Sequence, residues 1–453
     1  MKTFSASTFL PRRPMTRAAL WVALTLVACS VWAQSQPNDL SLALTDAVNL
    51  ALKQNPDVQI ANLTLAAKQQ ERAIARSELL PHAGIASSES ITRHNLKALV
   101  GFQLPGAPHN IGPYQAIHAG LTFSTQIFDL TLLRLYQASK HRIDAQLQDT
   151  HSVREQTTLL TISEYAAHLR AIASVKAAES RVELATRLLT QARALKDDGV
   201  ASRIDVSRAD VRLSEEKQRL IDAQAEQQTT LFALTRILNV PDSTRLRFTD
   251  EDSFFSTPAL DISEPVQTAL RDRPELLSLA ATLKADEDDR KAAAAASLPK
   301  LSLTGRWDQE GGTLTTLAPG YEYSVNFRLP LFTGGRLKAE REAARIALQE
   351  TQAGLTDTRN RVIEETRRGQ VELRAALDQT EVAKRQVSLA NEELALAQDR
   401  FRTGVTDNIE VVAAQDSLAR ANDSQIAALF RYSIARAELA RAVGAVERTY
   451  NHP

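Results

Sequence analysis

Two carboxylates are the residues whose repeated spacing most suggests a site. Asp205 follows Gly199, and Glu410 follows Gly404 at the same distance along the chain. Acids placed in this way could bind cations through their local field. They could equally lie at the start of a helix, where the helix dipole favours negative charge. The residue types alone leave both interpretations open.

Catalytic motifs are missing from the sequence. It contains no HExxH, no GxSxG and no Walker-type loop. Gly334-Gly335-Arg336 lacks the lysine and the spacing of a phosphate loop, so we interpret it as a bend between a strand and a helix. The eight histidines are scattered, without the spacing of metal ligands. We therefore expect no enzymatic activity, no metal site and no cofactor.

The N-terminus has the features of a secretory signal. Basic residues precede an apolar run over residues 18–28, which is too short to span a bilayer, and small residues at Val31 and Ala33 fit a cleavage site. We expect residues 1–33 to be a signal peptide. The alternative is lipidation at Cys29, which closes a lipobox-like Leu-Val-Ala-Cys stretch. We favour it less, because a chain anchored in the membrane at Cys29 would be taut before it reached the first predicted helix.

The composition excludes several classes of protein. Lys plus Arg and Asp plus Glu both number 54, so the chain lacks the basic excess of nucleic-acid-binding proteins. Its one cysteine and both methionines lie in residues 1–33, which leaves the mature chain without disulfides or thiolate ligands. No mature segment has about 18 consecutive apolar residues, so we predict no transmembrane helix.

The two halves of the chain share one order of features. The heptapeptide at 51–57, Ala-Leu-Lys-Gln-Asn-Pro-Asp, matches Ala-Leu-Arg-Asp-Arg-Pro-Glu at 269–275, and Leu-Pro at 80–81 recurs at 298–299. The residue before a proline is driven out of the helical region, so each heptapeptide marks a joint between two helices. We predict repeat I over residues 34–240, an equatorial linker over 241–261, repeat II over 262–446 and a C-terminal tail over 447–453.

Each repeat contains two candidate strands. Residues 321–329 alternate between apolar and polar side chains, as do residues 117–127, and each segment has a weaker partner upstream. The predicted strands cover about 83–92, 117–127, 301–309 and 321–330. Their length suits tilted membrane strands, in which Tyr323, Val325 and Phe327 would face lipid. A soluble hairpin with one buried face is the alternative.

Very long helices follow the strands. Residues 130–197 contain neither proline nor glycine, and residues 336–402 contain no proline. At ~1.5 Å per residue, each segment predicts a helix of roughly 100 Å, with apolar residues at intervals of seven that indicate coiled-coil packing. Return helices are predicted over 203–240 and 408–443. In each repeat the two shorter helices, stacked end to end, would match the long one, as the wall of a hollow cylinder requires.

These features resemble the outer-membrane efflux protein family, to which TolC belongs, over essentially the whole mature chain. The resemblance rests on the Asn55-Pro56 joint, Leu80-Pro81 before a strand, the segment Pro330–Arg336 between strand and long helix, and the turns Gly199-Val200 and Gly404-Val405. There are two departures. Phe128-Asp129-Leu130 lacks the Gly-Gly-Arg of the second repeat, and Glu410 stands where the family favours Asp.

The resemblance implies a mainly α protein with a membrane β-barrel. It implies a homotrimer in the outer membrane of a Gram-negative-type bacterium, with four strands per chain in a shared twelve-stranded barrel and the helices in a trimeric α-helical tunnel that extends into the periplasm. Such a protein is a passive conduit for efflux or type I secretion. It contacts outer-membrane lipid and no nucleic acid.

The resemblance also implies roles for individual residues. Gly199, Val200, Gly404 and Val405 would form the turns that dock on a periplasmic adaptor protein, which connects the channel to an inner-membrane transporter. Asp205 and Glu410 would form an acidic ring at the tunnel entrance. No cofactor is implied, because the transporter supplies the energy. The cargo, whether drug, metal ion or protein, does not follow from the sequence.

Two other functions compete with the channel. A periplasmic adaptor also has a long helical hairpin, but normally one, inserted in a β-rich body. A periplasmic coiled-coil scaffold would have the helices without membrane strands. Both are less consistent with two hairpins that each follow a barrel-like pair of strands.

Overall fold

A computed structural model of the chain describes residues 39–102, 105–106, 108–199, 201–241, 244–250, 256, 262–403, 405 and 408–451. The predicted signal peptide, with Cys29, lies outside the described residues. So do Val200, Gly404 and most of the linker between residues 251 and 261.

The first repeat begins with a short strand and two helices that meet at a proline. Asn55 separates these helices, and its side chain accepts a hydrogen bond from the Asp57 amide at 2.9 Å. The elements are β1 (Asp39–Leu42), α1 (Leu44–Gln54), α2 (Pro56–Ser77), β2 (His82–Asn95), α3 (Leu96–Val100), β3 (Asn110–Phe128), α4 (Leu130–Asp197) and α5 (Arg203–Leu238).

The second repeat follows the same plan after a short strand in the linker. Its elements are β4 (Arg245–Phe248), α6 (Pro265–Asp272), α7 (Pro274–Ala295), β5 (Lys300–Gly311), β6 (Ala318–Arg328), α8 (Arg336–Arg402), α9 (Asn408–Ala442) and α10 (Val446–Tyr450).

The two long helices start by different means. Asp129 precedes α4, and its carboxylate accepts hydrogen bonds from the amides of Thr131 at 2.9 Å and Leu132 at 3.3 Å. Gly335 precedes α8 with a left-handed φ of 87°, which glycine adopts without strain. The missing Gly-Gly-Arg of the first repeat is therefore replaced by an acidic N-cap.

The four long strands form one antiparallel sheet in the order β2-β3-β5-β6. The helices form a layer in the matching order. At the end near the sheet, α2, α4, α7 and α8 pack side by side; further away, α5 takes the place of α2, and α9 that of α7. Each strand thus continues a helical column. The two outer columns of the helical layer continue into the two edge strands of the sheet.

The core lies where the columns are joined. Near the middle of the layer, Tyr165 and Leu169 of α4 pack with Leu234 and Leu238 of α5 and with Leu429 of α9. The Tyr165 hydroxyl donates a hydrogen bond to the Leu42 carbonyl oxygen at 3.0 Å. This contact fastens β1, which pairs in parallel with β4, to the long helix.

Several elements differ from the sequence predictions. β3 begins at Asn110 rather than near residue 117, because β2 pairs with it beyond the alternating segment. The return helices end at Leu238 and Ala442, two residues and one residue before the predicted ends. The strands β1 and β4 and the helices α3 and α10 were not predicted, since elements of four or five residues are too short to show a period.

None of the described helices is both long enough and apolar enough to cross a membrane.

Candidate functional site

The turn between α4 and α5 is built around Gly199. This residue has a φ of 75°, and an added Cβ would meet nothing within 4 Å. The turn is closed by hydrogen bonds from the Gly199 amide to the Lys196 carbonyl and from the Ala201 amide to the Leu195 carbonyl, both 3.0 Å long. A left-handed residue after a helix end satisfies carbonyl groups that the helix leaves free.

The turn between α8 and α9 has a similar closure. The Thr403 amide donates to the Asp399 carbonyl at 3.1 Å, and the Val405 amide donates to the Arg400 carbonyl at 3.0 Å. Val405 is 67% exposed, so an apolar side chain is presented to solvent at this turn.

One hydrophobic cluster holds both turns at the same end of the molecule. It includes Leu188 of α4, Leu213 of α5, Leu394 and Phe401 of α8, and Val411 of α9. All five side chains are buried. Because the cluster draws on all four helices, the two predicted docking turns are neighbours, which the sequence could only suggest through its repeats.

The Asp205 carboxylate accepts hydrogen bonds at the start of α5. Its carboxylate accepts hydrogen bonds from the Ser202 amide at 2.9 Å and from the Ser202 hydroxyl at 2.6 Å, and Arg208 lies 3.7 Å away. The Ser202 hydroxyl hydrogen bond is the main cause of an Asp205 pKa below the ordinary value. This is the geometry of a capping box. Ser202 could have been recognised in the sequence, three residues before an acid, but was not.

Glu410 occupies the equivalent place in α9 with a different partner. Its Oε1 accepts a hydrogen bond from Nη1 of Arg400 at 2.9 Å, across the turn to α8. The Glu410 side chain is 38% exposed, whereas that of Asp205 is 14% exposed. The two acids therefore lie at matching positions but are held in different ways.

A groove of about 630 Å³ runs between α5 and α9 just above the turns. Its apolar floor includes Ile204, Val211 and Ile409, which are 57%, 57% and 49% exposed. Charged side chains of both signs, among them Arg208, Glu215 and Asp416, lie along its sides. An apolar strip bounded by charges of both signs is typical of a surface that receives an amphipathic helix.

The sheet has two unlike faces. On the polar face, Arg306 approaches Glu322 at 3.2 Å, and the Asn326 amide donates to Thr304 Oγ1 at 3.2 Å. The other face is apolar and exposed; along β5 and β6 it carries Trp307, Tyr321, Tyr323, Val325 and Phe327, each 61–77% exposed. An apolar face of this size indicates contact with something other than water.

Within the part of the chain that the structure describes, no group of three or more His, Cys, Asp or Glu side chains is arranged to hold a metal ion.

Comparisons with known proteins agree on one family. The family model described as outer membrane efflux protein matches residues 47–240 and 266–445. The probable efflux pump outer membrane protein TtgC of Pseudomonas putida is 24% identical over 89% of this chain and 83% of that protein. The outer membrane protein TolC of Vibrio cholerae is 21% identical over 93% of both chains. The solved CmeC outer membrane channel of Campylobacter jejuni shares the fold, with a TM-score of 0.77 at 19% identity over 98% and 94% of the two chains.

Proposed function

This chain belongs to the outer membrane efflux protein family, and we propose that it is the outer-membrane conduit of a tripartite export system, one that carries cargo from the periplasm to the exterior. The matching order of strands and helical columns supports this most directly. A single layer, in which every strand continues a helix, is the form that one segment of a cylinder wall takes. The two-repeat match sets aside the adaptor and scaffold interpretations, since it covers both halves of the chain.

The edges of the layer support assembly into a homotrimer. At one edge, α8 exposes Val371, Val382, Leu389 and Leu396; at the other, α2 exposes Ile60 and Leu63, and α5 exposes Ile221 and Phe232. Two different apolar edges can join head to tail and close a ring. The edge strands β2 and β6 run in opposite directions, so β6 of one chain could pair antiparallel with β2 of the next. Four strands cannot close alone, and three copies would supply twelve.

The end that carries the turns is the proposed docking surface for a periplasmic adaptor. The exposed Val405 and the groove between α5 and α9 fit an amphipathic helical hairpin better than a globular surface. Gly199 lies at the same end, and the docking turns predicted from the sequence also include Val200 and Gly404, which lie outside the described residues. An inner-membrane transporter, joined through the adaptor, would supply the energy, so the conduit needs neither a catalytic site nor a cofactor.

Substitution of Val405 tests this proposal. Val405→Glu should abolish export in cells and co-purification of the adaptor, because a charge replaces an exposed apolar contact, while the yield of trimer in the outer membrane stays unchanged. Asn391→Glu, an exposed position on α8 away from the turn, is the matched control. Normal export by Val405→Glu would place the docking surface elsewhere.

A further inference from the structure

The polar face of the sheet carries a charged cluster near the end that lies away from the helices. Asp308 and Glu310 lie close to Gly311, the last residue of β5. His118 of β3 lies beside them, with its Nδ1 3.5 Å from Asp308 Oδ2 and 3.9 Å from Glu310 Oε2. In the proposed conduit the polar face lines the lumen, so this cluster lies near the exterior mouth.

Two glycines hold the Asp308 carboxylate in place. Asp308 is paired with Gly120 of β3 on one side and with Gly320 of β6 on the other. A Cβ at Gly120 would lie 2.2 Å from the Asp308 Cα, and one at Gly320 would lie 3.6 Å from its Oδ1. Because neither neighbour has a side chain, Asp308 packs closely against β3 and is only 8% exposed. Its charge is therefore screened less by salt than that of an exposed carboxylate.

His118 is the member of this cluster whose charge changes near neutral pH. An imidazole gains a proton between about pH 8 and pH 5, whereas carboxylates and guanidinium groups ordinarily keep their charges over that range. The His118 side chain is 28% exposed, so protons reach it from the lumen. Its Nδ1 has no hydrogen-bond partner among the described residues, but it faces two carboxylates that attract a charged imidazolium.

The remaining neighbours of His118 leave the cluster with an excess of negative charge. Arg306 lies 4.0 Å from Asp308 Oδ2 and 3.2 Å from Glu322 of β6. On β2 the residue paired with His118 is the uncharged Ser88. One guanidinium thus accompanies three carboxylates, which gives a net charge of −2 per chain while His118 is neutral and −1 once it is protonated.

We propose that His118 makes the ion selectivity of the exterior mouth depend on pH. The inference rests on the proposed conduit, in which three chains surround one lumen. While His118 is neutral, the clusters of three chains together place a net charge of −6 on the wall, and this charge favours cations. Protonation of His118 in all three chains halves that charge, so the preference for cations falls. Asp205 and Glu410 lie at the opposite end of the long helices, and the two sites act separately.

Reversal potentials of the purified, full-length channel in planar bilayers test this inference. Under a KCl gradient, the ratio of cation to anion permeability should fall about twofold when both compartments are taken from about pH 8 to about pH 5.5. Ordinary carboxylates remain ionised over this range, so the change reports a group of higher pKa. This measurement uses only the wild-type protein, and its result does not depend on the folding of any variant.

Two matched substitutions assign the response to a residue. His118→Asn removes the titrating group, so its permeability ratio should stay constant over the same range. His94→Asn is the control, since it removes another histidine from the same pair of strands, one whose ring lies 6.0 Å from that of Tyr114. It should keep the wild-type response.

Each failure has its own meaning. A conducting wild-type channel whose selectivity does not change with pH would overturn this inference and leave the proposed conduit standing. A wild-type response in His118→Asn would overturn it as well, because another group would then be responsible. A chain that conducts no ions would overturn both proposals.

Discussion

At the scale of single residues, the contacts of Asp205 stabilise the start of α5. Its carboxylate is held by the Ser202 amide and hydroxyl. Asp205→Ala should destabilise the first turn of α5 by about 1 kcal/mol, a typical loss for an N-terminal capping residue. Hydrogen–deuterium exchange of amides 203–208 should then accelerate by about fivefold. Asp205→Asn keeps an acceptor and should have a smaller effect.

The same contact makes the stability of the folded state depend on pH. The Asp205 pKa lies below its ordinary value, chiefly because of the Ser202 hydrogen bond. The folded state therefore gains stability from Asp205 above the pKa of an unfolded aspartate, and this gain disappears as the pH falls through the lower folded pKa. Wild type and Asp205→Asn should become alike at the acidic end. Glu410→Gln is the control and should not alter exchange at α5; unchanged exchange in Asp205→Ala would remove the capping role.

The residue before each joint proline has a role that sequence reasoning did not assign. Asn55 donates to the Ile237 carbonyl at 3.0 Å, at the end of α5. Arg273, at the equivalent joint, donates to the Ala442 carbonyl at 3.2 Å, at the end of α9. Both side chains are buried, 5% and 4% exposed. The last carbonyls of a helix lack partners within it, so both residues supply one from outside.

Arg273 should be the more costly of the two to replace. It also contacts Glu275 and Glu365, each at 2.9 Å. Burial raises the Glu275 pKa, but the charge and hydrogen bonds of Arg273 outweigh burial and hold that pKa below its ordinary value. Arg273→Met should cost about 3 kcal/mol, since it leaves Glu365 without its arginine and leaves Glu275 with the longer contact to Arg441, at 3.4 Å. Asn55→Leu should cost about 1 kcal/mol.

We expect the assembly to unfold irreversibly. The Arg273 and Asn55 variants are therefore compared by the temperature at which half of the protein is inactivated at one heating rate. Arg273→Lys is the control and should fall between wild type and Arg273→Met, because it keeps the charge without the fork of donors. Equal effects of Arg273→Met and Asn55→Leu would contradict the importance of the ion pairs.

At the scale of elements, the exposed stripe of α8 is the feature to test. Leu389 is 56% exposed in the single chain, and Leu396 follows it by seven residues on the same face. Leu389→Glu should prevent assembly without unfolding the chain, because a charge would be buried between neighbouring copies. Size-exclusion chromatography with light scattering should show loss of trimer, while the circular dichroism of the helices persists.

Asn391→Glu again provides the control, since it adds the same charge on the other side of α8, away from Leu389. It should assemble normally. A Leu389→Glu variant that remains trimeric would exclude α8 from the interface, and the proposed closure through α8 with α2 and α5 would then be wrong.

At the scale of the whole molecule, three copies would place six carboxylates, from Asp205 and Glu410, near one axis. Carboxylates so close repel one another and attract cations. We expect the channel in planar bilayers to be cation-selective and to be blocked by multivalent cations from the periplasmic side. The charge-neutral pair Asp205→Asn with Glu410→Gln should weaken selectivity and block together.

Asparagine and glutamine are chosen because alanine at position 205 would also remove the cap of α5. Asp423→Asn, which removes an exposed acid further from the turns, is the control and should leave block unchanged. Wild-type block in the double variant would limit Asp205 to its capping role, while the fold and the family would stand.

The fold class and the family predicted from the sequence are confirmed by the family match and by the shared fold of solved channels. The long helices have the predicted bounds because proline and glycine act locally on the backbone. The alternation of apolar and polar residues likewise predicted the strands of the main sheet, because a period of two is typical of a strand with two unlike faces. These features depend on neighbours along the chain, and the sequence determined them by itself.

Tertiary structure decided which helices meet and what each acid contacts. Nothing in the sequence around Glu216 of α5 marks this charged residue as buried, yet it is 1% exposed. Asp205 and Glu410 are equivalent in the repeats, yet one caps its own helix and the other pairs with Arg400. Helical periodicity gives the face on which a residue lies but not the helix that will cover that face. That choice arises from packing between distant segments, which local sequence does not encode.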